Sequence, residues 1–82
     1  MSGYHKAKIA KGVLGEVSKI EEEFLEFQDA LNQGSKIMAL VELSDMIGAI
    51  KAYLKKDYNL TLDDLMIMDN LTRRAFEAGH RS

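Results

Sequence analysis

Residues 20–46 read IEEEFLEFQDALNQGSKIMALVELSDM, and the four residues near the middle, Asn32-Gln33-Gly34-Ser35, decide the fold. Glycine suits the left-handed position that closes one helix, and serine caps the helix that follows. Before this break, from about Glu16 to Asn32, Val17, Ile20, Phe24, Phe27 and Leu31 recur every three or four residues, as one face of an amphipathic helix requires. After it, a longer helix is expected from about Lys36 to Lys56. Its apolar residues (Ile37, Leu40, Val41, Leu43, Met46, Ile47, Ile50 and Leu54) spread around most of the circumference. A helix that is apolar nearly all round is buried on more than one side. In a chain of 82 residues the second side is expected to meet another subunit.

The flanks complete an all-α reading. Asp57-Tyr58-Asn59-Leu60-Thr61 is the next break, and Thr61 with Asp64 forms a capping box opening a third helix from about Leu62 to Glu77. Leu62, Leu65, Met68 or Asp69, Thr72 and Phe76 give it a weaker stripe. Residues 4–12 are read as a turn or two of helix, weakened by Gly12 and Gly15. Proline is absent and strand-like alternation is weak. The expected architecture is one domain over residues 1–82, a helical hairpin plus a third helix, dimerising into a four-helix-type bundle.

Composition narrows the function. Eleven basic residues against thirteen acidic ones leave a net charge of −2, without the basic excess of a nucleic-acid binder. The chain has no cysteine, so neither disulfides nor a thiolate zinc site can staple a small core. Oligomerisation, to a homodimer or tetramer, is the remaining common route. No apolar run approaches the ~20 residues a membrane span needs, and no apolar signal core follows the basic N-terminal stretch. The cytoplasm is the expected compartment.

The hairpin aligns two acidic pairs. Glu23 and Glu26 are three residues apart on the first helix and Glu42 and Asp45 repeat the spacing on the second, so each pair shares a helix face. Both pairs lie at similar distances from the turn and come level across it. Glu22 flanks the first pair, and Lys19 lies one turn before Glu23. On the helical wheel Met38, Ala39, Met46, Ala49 and Tyr53 surround Glu42 and Asp45, which is not a solvated setting. Carboxylates converging beside apolar groups take up protons or admit a cation. An all-oxygen donor set suits Mg²⁺, with Mn²⁺ or Ca²⁺ as other occupants. Against this stands the ordinary reading of a charge run such as Glu21-Glu22-Glu23 as a solvated face.

Glu22-Glu23-Phe24-Leu25-Glu26 fits E-E-x-x-E, and Glu42-Leu43-Ser44-Asp45 fits E-x-x-D, with fifteen residues between them. Together they resemble the signature of the MazG-like all-α nucleoside triphosphate pyrophosphohydrolases, over roughly residues 16–56. The resemblance implies magnesium-dependent cleavage of a (d)NTP substrate to a nucleoside monophosphate and pyrophosphate by an activated water. It implies Glu23, Glu26, Glu42 and Asp45 as metal ligands, and Glu22, with Glu23, in the catalytic machinery, Glu22 orienting or deprotonating water. Relatives carry a last-helix lysine in a K-x-x-x-N pattern; here Met66 stands four residues before Asn70. Arg73 or Arg74 is then the expected substitute, with Lys19 and Lys56 as further phosphate candidates.

Two alternatives stand beside it. Lys19 precedes Glu22 as in the K-x-x-E-E-x-x-E of phosphoribosyl-ATP pyrophosphatases, and a non-catalytic helical dimer or nucleotide-binding module uses the same architecture. His5 and His80 are read as solvated, the methionines as core fillers, and Phe24, Phe27, Tyr53 and Phe76 as core candidates, with Tyr53 also able to meet a base or phosphate.

Overall fold

The computed structural model describes residues 8–77, and within them the chain is all-α, with three helices and no strand. Helix α1 spans Val17–Asn32, α2 spans Lys36–Tyr58 and α3 spans Leu62–Glu77. The first two pack against each other as a hairpin. Helix α3 touches α2 sparsely and α1 not at all. No helix among the described residues is long and apolar enough to cross a membrane.

Local chemistry sets each boundary. Gly34 takes φ +77°, while the Ser35 N–H donates to the Ala30 carbonyl at 3.1 Å and the Gly34 N–H to Leu31 at 2.9 Å. This double closure satisfies carbonyls the helix end would otherwise leave open. Ser35 then accepts from the Met38 N–H at 3.2 Å and starts α2. Asn59, left-handed at φ 54°, ends α2 two residues later than expected, its N–H donating to Leu54. At α3 the Thr61 hydroxyl accepts from the Asp64 N–H at 3.3 Å, and Asp64 accepts from the Thr61 N–H at 2.9 Å. These backbone and hydroxyl bonds hold the Asp64 carboxyl below its ordinary pKa.

The N-terminal reading needs correction. Residues 8–12 form no helix, and residues 4–7, like His5 and His80, lie outside the described residues. The reason is where the backbone donors go. The N–H of Gly12 donates to Glu22 and that of Val13 to Ser18, rather than each to a carbonyl one turn earlier. We refer to residues 8–16 as the strap.

The side of each helix that packs also differs from expectation. Helix α1 buries Glu22, Glu23, Asp29 and Ala30; α2 buries Ala39, Glu42, Ala49 and Leu54. Alanines let the helices approach closely, and the acids occupy the seam. The apolar stripe of α1 lies on roughly the opposite side: Val17, Phe24 and Leu31 are exposed, and Ile20 and Phe27 half-buried. Phe24 and Phe76 are therefore not core residues of this chain. On α2, Ile37, Leu40, Leu43 and Ile47 form a second open apolar stripe, with Ile37 76% exposed.

Candidate metal centre

Five carboxylates meet at the α1–α2 seam. Oxygens of Glu23, Glu42 and Asp45 lie within 4.8 Å of one another, and so do oxygens of Glu22, Glu23 and Glu26. Glu23 belongs to both groups and joins them. The acids line a cleft of about 160 Å³ together with Lys11 and Lys19. Glu42 is only 1% exposed and is the largest fully buried side chain, while Asp45 stands at the open rim. Ala39 and Ala49 flank Glu42 as buried neighbours, and Met38, Met46 and Tyr53 are half-buried.

The electrostatics divide the acids into two kinds. Glu22 is held by cations and donors. Its Oε1 accepts from the Gly12 N–H at 2.8 Å and from Lys19 Nζ at 3.2 Å, and Lys11 Nζ lies 3.7 Å from Oε2. Burial pushes the Glu22 carboxyl up, but those donors and charges outweigh it and hold the group below its ordinary range. Lys19 also reaches Glu23 Oε1 at 3.0 Å, and that bond, against the opposing effect of burial, raises the lysine pKa. Lys19 is thus a tethered cation between two buried carboxylates.

Glu26 is the opposite case. Burial, then a hydrogen bond with the Glu42 carboxyl, then the charges of Glu23, Glu42 and Glu22, push it up to about 8. A carboxyl pair sharing a proton is the expected result when like charges crowd in low dielectric. Oε2 of Glu23 is closed off from solvent and accepts no hydrogen bond among the described residues. Desolvating a carboxylate oxygen without a donor costs several kcal/mol by order of magnitude. Such an oxygen, in a pocket where five carboxylates outnumber two lysines, fits a hard divalent cation supplied with further oxygen ligands. Glu23, Glu42 and Asp45 form one group that could hold such an ion, and Glu22, Glu23 and Glu26 another.

The expected phosphate cations fare unequally. Lys19 lines the cleft; Lys56, Arg73 and Arg74 do not. Lys56 packs over Gly15 and its Nζ lies 3.8 Å from Glu16. Arg73 bonds to Asn70 on its own helix, and Arg73 and Arg74 are exposed on α3. The Tyr53 hydroxyl meets that of Tyr58 at 3.2 Å, the rings packing edge to face, and Tyr53 is not part of the cleft lining. Sequence reasoning missed Lys11 and Gly12. Their link to Glu22 spans ten residues, and reading residues 4–12 as a helix hid it.

Compared with protein-family models, curated proteins and solved structures, the chain matches none of them.

Proposed function

We propose that this chain is a magnesium-dependent nucleotide pyrophosphohydrolase that cleaves a (d)NTP between its α and β phosphates and works as a homo-oligomer. The observation that carries the reading is the convergence of Glu23, Glu42 and Asp45, from two helices, to within 4.8 Å, with Glu42 sealed from solvent. Structural helices rarely bury several carboxylates at one seam, because burying charge costs more than it returns unless a partner enters. Perturbed carboxyls in a cleft are the usual mark of a site. The E-E-x-x-E and E-x-x-D pattern supplies the reaction class.

Within this reading Glu23, Glu26, Glu42 and Asp45 hold Mg²⁺, with Mn²⁺ as an alternative. The ion supplies charge stabilisation at phosphoryl oxygens and lowers the pKa of an attacking water. The chain's own residues do the rest by positioning. Lys19 fixes the rotamers of Glu22 and Glu23 through its two contacts. The Gly12 N–H, Lys19 and Lys11 keep Glu22 ionised, which suits it to orienting water more than to storing a proton. The hairpin seam keeps these groups fixed relative to one another before substrate arrives.

Oligomerisation is supported by the open apolar stripes. Among the described residues only Ala30, Ala39, Ala49 and Leu54 form the buried apolar core, while Phe24, Leu31, Leu40 and Ile47 face outward. That is a meagre core for a folded chain of this size, and a second copy covering the stripes completes a four-helix-type bundle. The absence of cysteine and the nucleotide substrate suit the cytoplasm.

The test is pyrophosphate release from a panel of canonical (d)NTPs with and without Mg²⁺, beside Asp45→Asn. Magnesium-dependent release lost in the variant supports the reading; no turnover on any member contradicts it. Because Lys19 sits on Glu22 as the K-x-x-E-E-x-x-E pattern would place it, phosphoribosyl-ATP belongs in the panel.

A further inference from the structure

We propose that the cation meeting the phosphates of a bound ligand is Lys11, carried on the strap before α1, and not a residue of α3. The assignment rests on the metal reading above and names the group that reads the polyphosphate at that site.

The strap is docked. The Gly12 N–H bonds Glu22 at 2.8 Å, the Val13 N–H bonds the Ser18 hydroxyl at 3.1 Å, and the Glu16 N–H bonds the Val13 carbonyl at 3.0 Å. A Cβ on Gly12 would lie 2.3 Å from the Ser18 carbonyl oxygen and 2.5 Å from the Lys19 nitrogen, backbone atoms that cannot swing aside. Only glycine permits this approach, and the approach places its neighbour Lys11 at the cleft rim.

Two lysines line the cleft, and they differ in what holds them. Lys19 is largely covered and bound to two buried carboxylates at 3.2 and 3.0 Å. Drawing it toward a ligand would strip both. The Lys11 side chain is 75% exposed and, among the described residues, makes one ion pair, 3.7 Å from Glu22. An exposed ion pair of that kind is weak and easily released, and an ammonium on a four-carbon stem can turn to a new anion. A polyphosphate arriving with its metal brings several charged oxygens to this rim. No residue of α3 lines the cleft, so Arg73 and Arg74 are displaced from the role.

Calorimetric titration tests the assignment. Mg²⁺ alone is titrated first, then an α,β-methylene nucleoside triphosphate in saturating Mg²⁺, into the wild-type chain, Lys11→Gln, Lys11→Arg and the Arg73→Gln/Arg74→Gln double variant. The expected result is analogue binding about tenfold weaker in Lys11→Gln, close to wild type in Lys11→Arg and in the double variant, and Mg²⁺ binding unchanged throughout. Analogue affinity unchanged in Lys11→Gln, or lost equally for Mg²⁺ alone, overturns the assignment while leaving the metal site standing. A wild-type chain that binds no Mg²⁺ overturns the metal reading, and the assignment falls with it.

Discussion

The seam between α1 and α2 and the outer faces of the same helices invert the usual pattern of a small domain. Inside lie Glu22, Glu23, Asp29 and Glu42; outside lie Phe24, Leu31, Ile37, Leu40 and Ile47. Hydrophobic burial normally stabilises the inside, and solvation the outside. Here each region lacks a complement. The inner face is short of positive charge, which Lys19 supplies in part, and the outer face is short of apolar cover. On the proposed reading, the acids belong to what the chain binds, and the apolar stripes to what it assembles with.

The largest effect should come from removing charge inside. Glu42→Gln keeps the shape and the ability to bond Glu26, so turnover should fall by more than about 100-fold, beyond what outer-shell changes cause. The same variant should stabilise the metal-free chain by about 1 kcal/mol or more, since it removes a carboxylate from a crowded buried site. Denaturant melts in chelator, paired with pyrophosphate release, check both. Loss of stability with retained turnover would erase the distinction between the faces.

Adding charge outside should do the reverse. Leu40→Glu with Ile47→Glu places charges in the middle of the open α2 stripe. Sedimentation should then show monomer where the wild type should show dimer or tetramer, with the association weakened by several kcal/mol. A wild-type chain that sediments as a monomer would refute the account of the outer face.

The pH response sharpens the comparison further. The Glu26 carboxyl is raised from 4.5 to about 8, so the folded chain holds a proton that the unfolded chain releases. The folded protein binds more protons in that window, and the metal-free stability should fall as pH rises from about 4.5 to about 8. Saturating Mg²⁺ should flatten the slope by favouring the ionised form. Melting temperature against pH, in chelator and in Mg²⁺, reads both trends. A rising curve in chelator would contradict the crowding of Glu26.

The smallest effect lies outside both faces. Ser35→Ala removes the cap of α2 and should cost about 1 kcal/mol without altering metal affinity. A change in metal affinity there would mean that the seam depends on the turn more than the packing indicates.

Local signals were the legible ones. Gly34 and Ser35 announce the hairpin, and Thr61 with Asp64 announces α3, because each acts through bonds a few residues long. The meeting of Glu23, Glu42 and Asp45 was legible for a related reason: equal spacing from a tight turn leaves little freedom in register. Two features were not. Periodicity locates the apolar stripe of Phe24 and Leu31 but cannot say which side of the helix faces α2, since acids and alanines can also pack when the helices come close. The strap depends on a Gly12–Glu22 bond across ten residues, for which no local pattern exists. Lys56, Arg73 and Arg74 were plausible by angle or by resemblance, and none of them lines the cleft.

Differential scanning calorimetry of the wild-type chain and of Glu23→Gln, with and without millimolar Mg²⁺ at neutral pH, bears most directly on the central claim. Glu23 belongs to both carboxylate groups, so Mg²⁺ should raise the wild-type melting temperature by several degrees and leave Glu23→Gln unmoved. Equal melting temperatures with and without Mg²⁺ in the wild type, or an equal rise in both proteins, would contradict it.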